Sequence, residues 1–160
     1  MLELYHYHQE MRKKMKEYFG ASPELRAAAF YLRYQIFILE QEISPEDEFD
    51  ALDTADRHYY VLFDNELPIA TIRYQKLDKQ TLNPDRLCVL PDYRQQGLGA
   101  KLLTSIEQRA ISEKCKRSIL SAETTAQQFY ENLGYHVISD VFIEDGIPCV
   151  KMQKALAANQ

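Results

Sequence analysis

The chain contains 160 residues, of which 46% are hydrophobic and 27% charged, proportions typical of one folded domain rather than a disordered chain or a coiled coil. The net charge of −5 argues against a general nucleic-acid binder, which neutralises phosphates with Lys and Arg. No run of about 18 apolar residues predicts a membrane span, and polar residues interrupt the N-terminal segment where a secretory signal needs an apolar core. The three cysteines are far apart and lack C-x-x-C spacing, so we expect neither a disulfide framework nor a zinc site, and we expect a cytoplasmic location.

The first forty residues combine one ambiguous segment with one clear helix. Residues 2–7 alternate in hydrophobicity like a strand, whereas the apolar residues after them recur at helical spacing. Ser22-Pro23-Glu24 is a typical helix start, because a hydroxyl caps the first turn and proline fits its first position. The apolar spacing after this start predicts an amphipathic helix ending near residues 40–42. The apolar residues at helical spacing in the ambiguous segment are Met11, Met15, Tyr18 and Phe19.

An acidic segment follows this helix, and the rest of the chain alternates strands with helices. Residues 40–56 carry eight acids and no base, which predicts a loop, or a short helix followed by a loop. Two hairpins are predicted, with turns at Asp64-Asn65-Glu66 and Asp145-Gly146. The order of elements predicts one mixed α/β (α+β) domain over residues 1–160, of which residues 1–21 are ambiguous. Strands are predicted at residues 59–63, 69–77, 86–90, 118–122, 135–143 and 147–152, and helices at residues 97–116 and 125–133, the latter stopped by Gly134.

The most informative segment, residues 87–100, runs from a strand through a loop with Gly97 and Gly99 into the long helix. At such a junction backbone N–H groups lack partners, and the helix dipole adds partial positive charge. A phosphate group fits there because glycine lets it approach the backbone, and Arg94 adds a charge-assisted contact. The segment is neither a Walker A loop nor a dinucleotide G-x-G-x-x-G motif. On the glycines alone, a tight strand-to-helix turn without a ligand is an equally good interpretation.

The whole loop is more specific than its glycines. The run Arg94-Gln95-Gln96-Gly97-Leu98-Gly99 resembles the [Q/R]-x-x-G-x-[G/A] loop of the GNAT superfamily of N-acyltransferases. The resemblance implies acetyl-CoA as co-substrate and a mixed, mostly antiparallel sheet, flanked by helices and splayed at the cofactor strand. It implies that loop amides hold the CoA diphosphate and that the preceding strand pairs with the pantetheine arm. The cofactor-binding residues implied are Leu87, Cys88, Val89, Arg94, Gln95, Gln96, Gly97, Leu98, Gly99, Ala100, Phe129 and Tyr130.

A second match lies downstream, where residues 129–135 read Phe-Tyr-Glu-Asn-Leu-Gly-Tyr. The segment resembles the family's F-Y-x-x-x-G-[F/Y] pattern, in which the tyrosine commonly acts as general acid toward the departing thiolate. The resemblance therefore assigns that role to Tyr130, a reasonable one because a thiolate leaving group benefits from a nearby O–H donor. The alternative is that Tyr130 is a core aromatic on an amphipathic helix.

A third match covers the first half of the chain. Residues 33–43 resemble the R-x-x-V-F-[V/I]-x-E-Q helix of the ElaA-like branch, and further matches occur in residues 50–58 and 144–148. The resemblance spans roughly residues 25–153. The chain departs from the branch where we expect polar acceptor-site groups, because it has Glu123, Thr125 and Cys149 at those positions.

Several polar residues are candidates for the acceptor chemistry, which requires a neutral amine. Glu123 is the leading candidate for the base, with Glu40 and His58 as alternatives, and for each the competing interpretation is a capping, paired or solvated group. The Val89 N–H is the candidate donor to the developing oxyanion. Arg33, Glu40 and His58 are candidate substrate contacts. The basic residues that could meet the 3′-phosphate of CoA, or simply form a wet helix face, are Lys101, Arg109, Lys114, Lys116 and Arg117.

The expected function is direct, acetyl-CoA-dependent acetylation of a small-molecule amine or a peptide, with no covalent enzyme intermediate and no metal. The acidic segment, residues 40–56, could attract a cationic substrate or be a solvated loop. Cys88 has no adjacent histidine to activate it and is not a nucleophile candidate, and the four histidines lack metal-ligand spacing. We expect no nucleic-acid or membrane partner, and a homodimer is possible. The alternative from another class is a non-catalytic acyl-CoA-binding or sensor module that kept the fold.

Overall fold

The computed structural model describes residues 1–157, except for the side chains of residues 8 and 11–13. The last three residues of the predicted 1–160 domain and the side chain of Met11 therefore lie outside the described part. The helices are α1 (Leu2–Lys14), α2 (Pro23–Arg33), α3 (Pro45–Glu48), α4 (Leu98–Ser112) and α5 (Gln127–Glu131), with a π-helical segment at Tyr34–Glu40 and 3₁₀ turns at Pro91–Tyr93 and Thr124–Ala126. The strands are β1 (Met15–Gly20), β2 (His58–Asp64), β3 (Leu67–Tyr74), β4 (Lys76–Asp78), β5 (Thr81–Leu82), β6 (Asp85–Val89), β7 (Arg117–Glu123), β8 (His136–Val137), β9 (Phe142–Glu144) and β10 (Ile147–Ala155).

The strands form two sheets that separate between β6 and β7. The first sheet has the order β1-β2-β3-β6, and the second has the order β4-β5-β7-β10-β8 with β9 on β10. Every recorded pair is antiparallel except β5 with β7. The predicted mixed, mostly antiparallel sheet with flanking helices is confirmed. Its opening lies beside β6, the strand that leads into the glycine loop.

Helices cover both faces of the first sheet. On one face α2 and the π-helical segment bury Ala29, Leu32 and Ile36 against Tyr59 and Val61 of β2. On the other face α4 buries an apolar stripe against both sheets, so that this helix bridges them. The buried residues of the stripe are Leu98, Leu102, Leu103, Ile106 and Ala110. The apolar residues that recur in the sequence about every 3.6 positions therefore form the face of α4 that packs into the core.

The N-terminal segment, which the sequence left ambiguous, adopts the opposite of each local pattern. Residues 2–7, which alternate like a strand, belong to α1, and Met15, Tyr18 and Phe19, which recur at helical spacing, lie in β1. β1 pairs antiparallel with β2 along its whole length, from Met15 with Asp64 to Gly20 with Tyr59. Hydrogen bonding to β2 determines the extended conformation of β1. The spacing of apolar residues within a short stretch of sequence does not predict such a long-range pairing.

Local capping and turn signals agree with the structure more closely. The Ser22 Oγ accepts a hydrogen bond from the N–H of Leu25 and so caps α2. The Asp145-Gly146 turn has positive φ at both residues (50° and 78°), as a tight hairpin turn requires. The single strand predicted at residues 135–143 is wrong, because it is divided into β8 and β9. The predicted strand at 69–77 is likewise divided, with residues 76–77 in the second sheet.

Candidate functional site

A cavity of about 1000 Å³ occupies the opening between the two sheets. Residues of β6 and β7 form its walls, and the π-helical segment, the start of α4, α5 and the β9–β10 hairpin surround it. Its size is at the upper end of the usual range for small-molecule sites. The segments singled out by the three sequence motifs thus converge on one space. Candidate site residues among its lining are Glu40, Leu87, Cys88, Val89, Arg94, Gln95, Gly97, Leu98, Gly99, Ala100, Glu123, Phe129 and Tyr130.

The N-terminus of α4 opens onto this cavity without a side-chain cap. Gly97 is the N-cap residue, has φ of 77°, and provides no side chain to bond the first amides. A Cβ built on Gly97 would meet no atom within 4 Å, so the backbone here borders open space. The Cβ position of Gly99 lies 3.4 Å from the Phe129 ring, which packs α5 against the loop. Uncapped N–H groups and an open approach fit an anion such as the CoA diphosphate.

The side chain of Arg94 is already engaged. Its Nη1 and Nη2 donate to the two carboxylate oxygens of Glu40 at 2.8 Å and 2.9 Å, and its Nε donates to the Val89 carbonyl at 3.0 Å. Both side chains are about 40% exposed. The hydrogen bond from Arg94 lowers the pKa of Glu40, which makes this carboxylate a weaker base. Of the two alternative bases, Glu40 is therefore disfavoured although it lines the cavity.

The strand β6 carries a bulge at the cavity. Cys88 pairs with Thr71 and Asp85 with Arg73, so two residues of β6 oppose the single residue Ile72. One of the two, Arg86, has φ of 56°. The bulge bends β6 at the level where the sheets separate.

The backbone of Val89 faces the opening. The N–H of Leu90 donates to the Ile69 carbonyl at 2.8 Å, so Leu90 and Ile69 form a hydrogen-bonded pair. Because hydrogen-bonded and non-hydrogen-bonded pairs alternate in an antiparallel ladder, the next pair, Val89 with Ala70, directs its N–H and carbonyl groups away from β3. The Val89 N–H is thus available to a ligand carbonyl, while its own carbonyl is held by Arg94.

Tyr130 lies on α5 at the cavity wall. Its ring contacts Phe129 and Tyr135 with centroids 5.0 Å and 5.9 Å away. Burial raises the pKa of the Tyr130 phenol, and the negative charges of Glu123 and Asp85 raise it further. The phenol therefore keeps its proton at neutral pH, and no hydrogen bond from its O–H is recorded to any residue the structure describes. An available O–H donor in a low-dielectric wall suits a general acid.

Glu123 is the last residue of β7, directly before the 3₁₀ turn that leads into α5. Burial alone raises the pKa of its carboxyl, and within residues 1–157 no ion pair to it is recorded. A carboxylate held without a counter-charge is a stronger base than one paired with arginine. Glu123 is thus the best-placed of the three base candidates.

Two candidate substrate contacts are corrected by the structure. Arg33 is completely buried, with Nε 2.7 Å from Glu48 and Nη1 2.7 Å from Asp53, and does not line the cavity. His58 lies outside the cavity, where its Nδ1 is 2.8 Å from the Asp56 carbonyl and its ring is 5.0 Å from that of Phe19. Sequence resemblance placed both residues in a motif without revealing that their side chains serve the fold.

The acidic segment is neither a free substrate attractant nor a wholly solvated loop. Asp50 and Asp53 both accept from the buried Arg73, and Arg86 contacts Glu48 and Asp50. The segment is folded onto arginines supplied by other elements, which composition within residues 40–56 cannot show.

The basic residues considered for the 3′-phosphate of CoA have different surroundings. Lys101 is exposed in the first turn of α4. Arg109 instead stacks 3.6 Å from the Phe19 ring centroid and donates to the Tyr60 hydroxyl, while Arg117 donates to Thr81. Lys101 is therefore the best-placed of these residues to meet a phosphate near the loop.

Sequence reasoning missed a polar group on the cavity floor. The Nε2 of Gln75 donates to Asn83 Oδ1 at 2.8 Å and to Asp85 Oδ2 at 3.1 Å. Asn83 Nδ2 in turn reaches the Ile119 carbonyl on β7. These residues connect the two sheets below the opening, and all except Ile119 line the cavity. No motif signals them; the only sequence cue is a cluster of polar residues between two predicted strands.

Comparison with known proteins decides the family. A family model described as an acetyltransferase (GNAT) domain matches residues 35–156. The chain belongs to the GNAT acetyltransferase family. An N-acetyltransferase of Bacillus subtilis (strain 168), YjcF, itself uncharacterised, is 33% identical over 141 residues, which cover 88% of this chain and 99% of YjcF. The predicted family membership and acyltransferase class are thereby confirmed.

Solved structures agree with this assignment of the GNAT chain. A Lactobacillus plantarum protein, provisionally assigned as an N-acetyltransferase, is 40% identical, with a TM-score of 0.86 over 89% of this chain and 99% of that one. Escherichia coli ElaA has a TM-score of 0.77 at 24% identity, covering 88% of this chain and 99% of ElaA. The likeness to ElaA shows a common fold, in agreement with the ElaA-like motifs. Among the described residues, no helix of the GNAT chain is long and apolar enough to cross a membrane.

Proposed function

We propose that this GNAT chain is an acetyl-CoA-dependent N-acetyltransferase that transfers an acetyl group directly to the amine of a small molecule or peptide. The observation that carries the proposal is the position of the uncapped α4 N-terminus and the protonated Tyr130 on one cavity. An anion site and an acid beside the same opening are what a CoA thioester donor needs. The three buried, unpaired cysteines fit a reducing cytoplasm as its location.

The α4 amides from Gly97 to Ala100 bind the diphosphate, and Lys101 lies directly after them. Leu87, Cys88 and Val89 line the wall beside the pantetheine arm, and Gln95 and Gln96 complete the loop. The burial of Cys88 raises the pKa of its thiol, so this residue provides a wall rather than a nucleophile. Acetyl-CoA, when bound, supplies an activated acetyl thioester and a thiol leaving group.

The proton movements fall to two side chains. Glu123 accepts a proton from the acceptor ammonium, which leaves a neutral amine to form the C–N bond. The Val89 N–H donates to the carbonyl oxygen as negative charge develops there. Tyr130 donates its proton to sulfur as the C–S bond breaks. After Glu123 has passed the first proton to water, it accepts the second proton from the attacking nitrogen, and that proton restores the phenol through water. The net products are an acetylated amine, a free thiol and one proton released to solvent.

Two measurements test the proposal. Acetyl-CoA at 100 times its Kd should stabilise the protein by about 2.7 kcal/mol in thermal unfolding. A panel of small amines and peptides, assayed by thiol release, should then contain at least one acceptor. If millimolar acetyl-CoA does not stabilise the protein, acetyl-CoA is not its acetyl donor. Stabilisation without thiol release on any acceptor would favour the non-catalytic acyl-CoA-binding module, for which the unusual Glu123, Thr125 and Cys149 are the supporting observation.

A further inference from the structure

Two consecutive side chains of β6 bind partners on the same side of the sheet, whereas the side chains of a regular strand alternate between its faces. The Asp85 carboxylate accepts from Arg73 Nε at 2.8 Å and from Nη2 at 2.6 Å. The next residue, Arg86, has its Nη2 3.3 Å from Asp50, and Arg73 holds the same Asp50 at 2.8 Å. Both side chains therefore reach one connected group of charges, which the alternation of a regular strand does not allow and the bulge in β6 does.

Arg86 occupies a backbone conformation that suits glycine. Its φ of 56° lies in the left-handed region, and a bulge residue with this conformation is usually Gly. The arginine side chain is held firmly, because its Nε lies 3.1 Å from Glu48 Oε1 and its Nη2 donates to the Glu48 carbonyl at 3.2 Å. Glu48 is itself only 2% exposed and is bonded to the buried Arg33. The partners of the Arg86 guanidinium therefore stabilise the bulge against the strain of its backbone.

The bulge fixes which backbone groups of β6 face the cavity. Val89 pairs with Ala70 and directs its N–H away from β3. Because the two kinds of antiparallel pair alternate, a slip of one residue would turn this N–H toward β3 and away from a ligand. Loss of the bulge requires such a slip on one side of it. The two hydrogen bonds from Arg73 hold Asp85 in place, so the slip falls on the side of Val89.

We propose that Arg86 is a positioning residue for acetyl transfer, because its bonds to Glu48 and Asp50 hold the bulge that presents the Val89 N–H to the thioester carbonyl. The proposal rests on the proposed function and adds to it a residue that acts through the backbone of β6 and not on the ligand. The acidic segment, residues 40–56, then serves the reaction by holding this strand in register.

The test compares Arg86→Ala with Arg86→Gly. Both variants lack the guanidinium, but only glycine adopts a positive φ without strain. Because loss of one oxyanion donor lowers kcat by about 10²–10³, we expect kcat to fall by about tenfold or more in Arg86→Ala and to stay within about threefold of the parent in Arg86→Gly. The Kd of acetyl-CoA, measured by calorimetry, should change less than kcat in both variants, since the Val89 N–H acts as charge develops on the oxygen.

The matched control is Asn65, which has φ of 52° in the turn between β2 and β3 and does not line the cavity. Asn65→Ala and Asn65→Gly should both retain kcat. Equal losses of kcat in Arg86→Ala and Arg86→Gly would overturn the proposal, because the charge of Arg86 would then act directly, and parent-like kcat in both would overturn it as well. If Arg86→Ala does not fold, a loss of about tenfold or more in Arg86→Gly is the overturning result, and retention of kcat supports the proposal.

A measurement on the protein without ligand makes the test independent of turnover. The ¹⁵N–¹H resonance of Val89 should keep its position in Arg86→Gly and shift in Arg86→Ala, where its amide should also exchange more slowly with solvent because it bonds to β3. An unchanged Val89 resonance in Arg86→Ala would overturn the proposal. A parent protein without thiol release on any acceptor would refute the proposed function instead, and the Val89 resonances would still decide whether Arg86 positions this strand.

Discussion

Arg94 and Glu40 are 54 positions apart in the chain and are joined by two parallel hydrogen bonds, of 2.8 Å and 2.9 Å. The first belongs to the loop expected to bind the CoA diphosphate, and the second to the π-helical segment on the other side of the cavity. Each Nη keeps one further N–H, but the Nη1–Nη2 edge that can hold an anion with two hydrogen bonds is occupied by Glu40, and Nε is bonded to the Val89 carbonyl. In the proposed function, a diphosphate and Glu40 compete for this edge of Arg94.

The competition predicts opposite effects of two substitutions on acetyl-CoA affinity. Glu40→Gln should lower the Kd by up to about fivefold, because an exposed ion pair contributes about 0–1 kcal/mol. Arg94→Ala should raise the Kd by about tenfold or more, through loss of a charge-assisted hydrogen bond. Calorimetric titration with acetyl-CoA measures both. If Glu40→Gln weakens binding instead, the pair orients Arg94 for the ligand and does not compete.

Gly97→Val should prevent acetyl-CoA binding while the fold survives. The space beyond the Gly97 Cβ position is open, so the new side chain projects to where the diphosphate would approach. A non-glycine residue at φ of 77° costs about 1–2 kcal/mol of stability. Gly146→Val is the matched control, since Gly146 has φ of 78° and equally open surroundings but is outside the loop. Equal loss of acetyl-CoA binding in both variants would indicate general destabilisation.

Tyr130→Phe should lower kcat by roughly 10²–10⁴ and change the acetyl-CoA Kd only a few-fold, because the ring remains and only the O–H is lost. An acyl donor with a more acidic leaving thiol should suffer a smaller loss, since it needs less protonation. Tyr135→Phe is the control. It removes a buried hydrogen bond of 2.8 Å to Ser118 and should cost about 1 kcal/mol of stability with kcat retained. Unaltered turnover in Tyr130→Phe would make Tyr130 a core aromatic.

The pH dependence of kcat/KM should identify the base. Glu123 acts only when ionised, and burial raises its pKa, so activity should fall with decreasing pH at a midpoint above the ordinary carboxyl value of 4.5. Glu123→Gln should remove this acid limb and lower kcat. Glu40→Gln should keep the acid limb. The hydrogen bond from Arg94 lowers the pKa of Glu40, so this carboxylate does not titrate at the pH of the expected midpoint. A limb that disappears in Glu40→Gln and persists in Glu123→Gln would reverse the assignment.

Asp53→Asn should destabilise the fold by about 3–5 kcal/mol, because it leaves parts of two buried arginines unpaired. Asp53 lies 2.7 Å from Arg33 and 3.0 Å from Arg73 and accepts from the Tyr59 hydroxyl. These contacts lower its pKa below the ordinary 3.8, so its stabilisation is complete above about pH 4 and decreases as the pH falls further. Urea unfolding at pH 7 and pH 3 should show the variant nearer to the parent at pH 3. The exposed Asp47→Asn should change stability little at either pH.

Features specified within a few residues were predictable from the sequence. The Ser22 cap, the Asp145-Gly146 turn and the stripe of α4 each depend on neighbours along the chain, and the GNAT loop is one continuous string. The conformation of β1 stayed ambiguous in the sequence because it depends on pairing with β2, about forty residues away. The roles of Arg33 and of the acidic segment were inaccessible for the same reason, since burial and partners are properties of the folded chain.

The π-helical segment Tyr34–Glu40 has a consequence for insertions and deletions. The N–H of Gln41 bonds to the Ile36 carbonyl, five residues back, instead of four as in an α-helix. Because each α-helical residue advances the chain by about 100°, removing one residue from this segment would restore α-helical bonding and rotate the residues after it by that angle. Ile36, Phe37, Glu40 and Gln41 would no longer all face the cavity together. The length of this one turn, counted in residues, is therefore as much a determinant of the cavity as the identities of the side chains that line it.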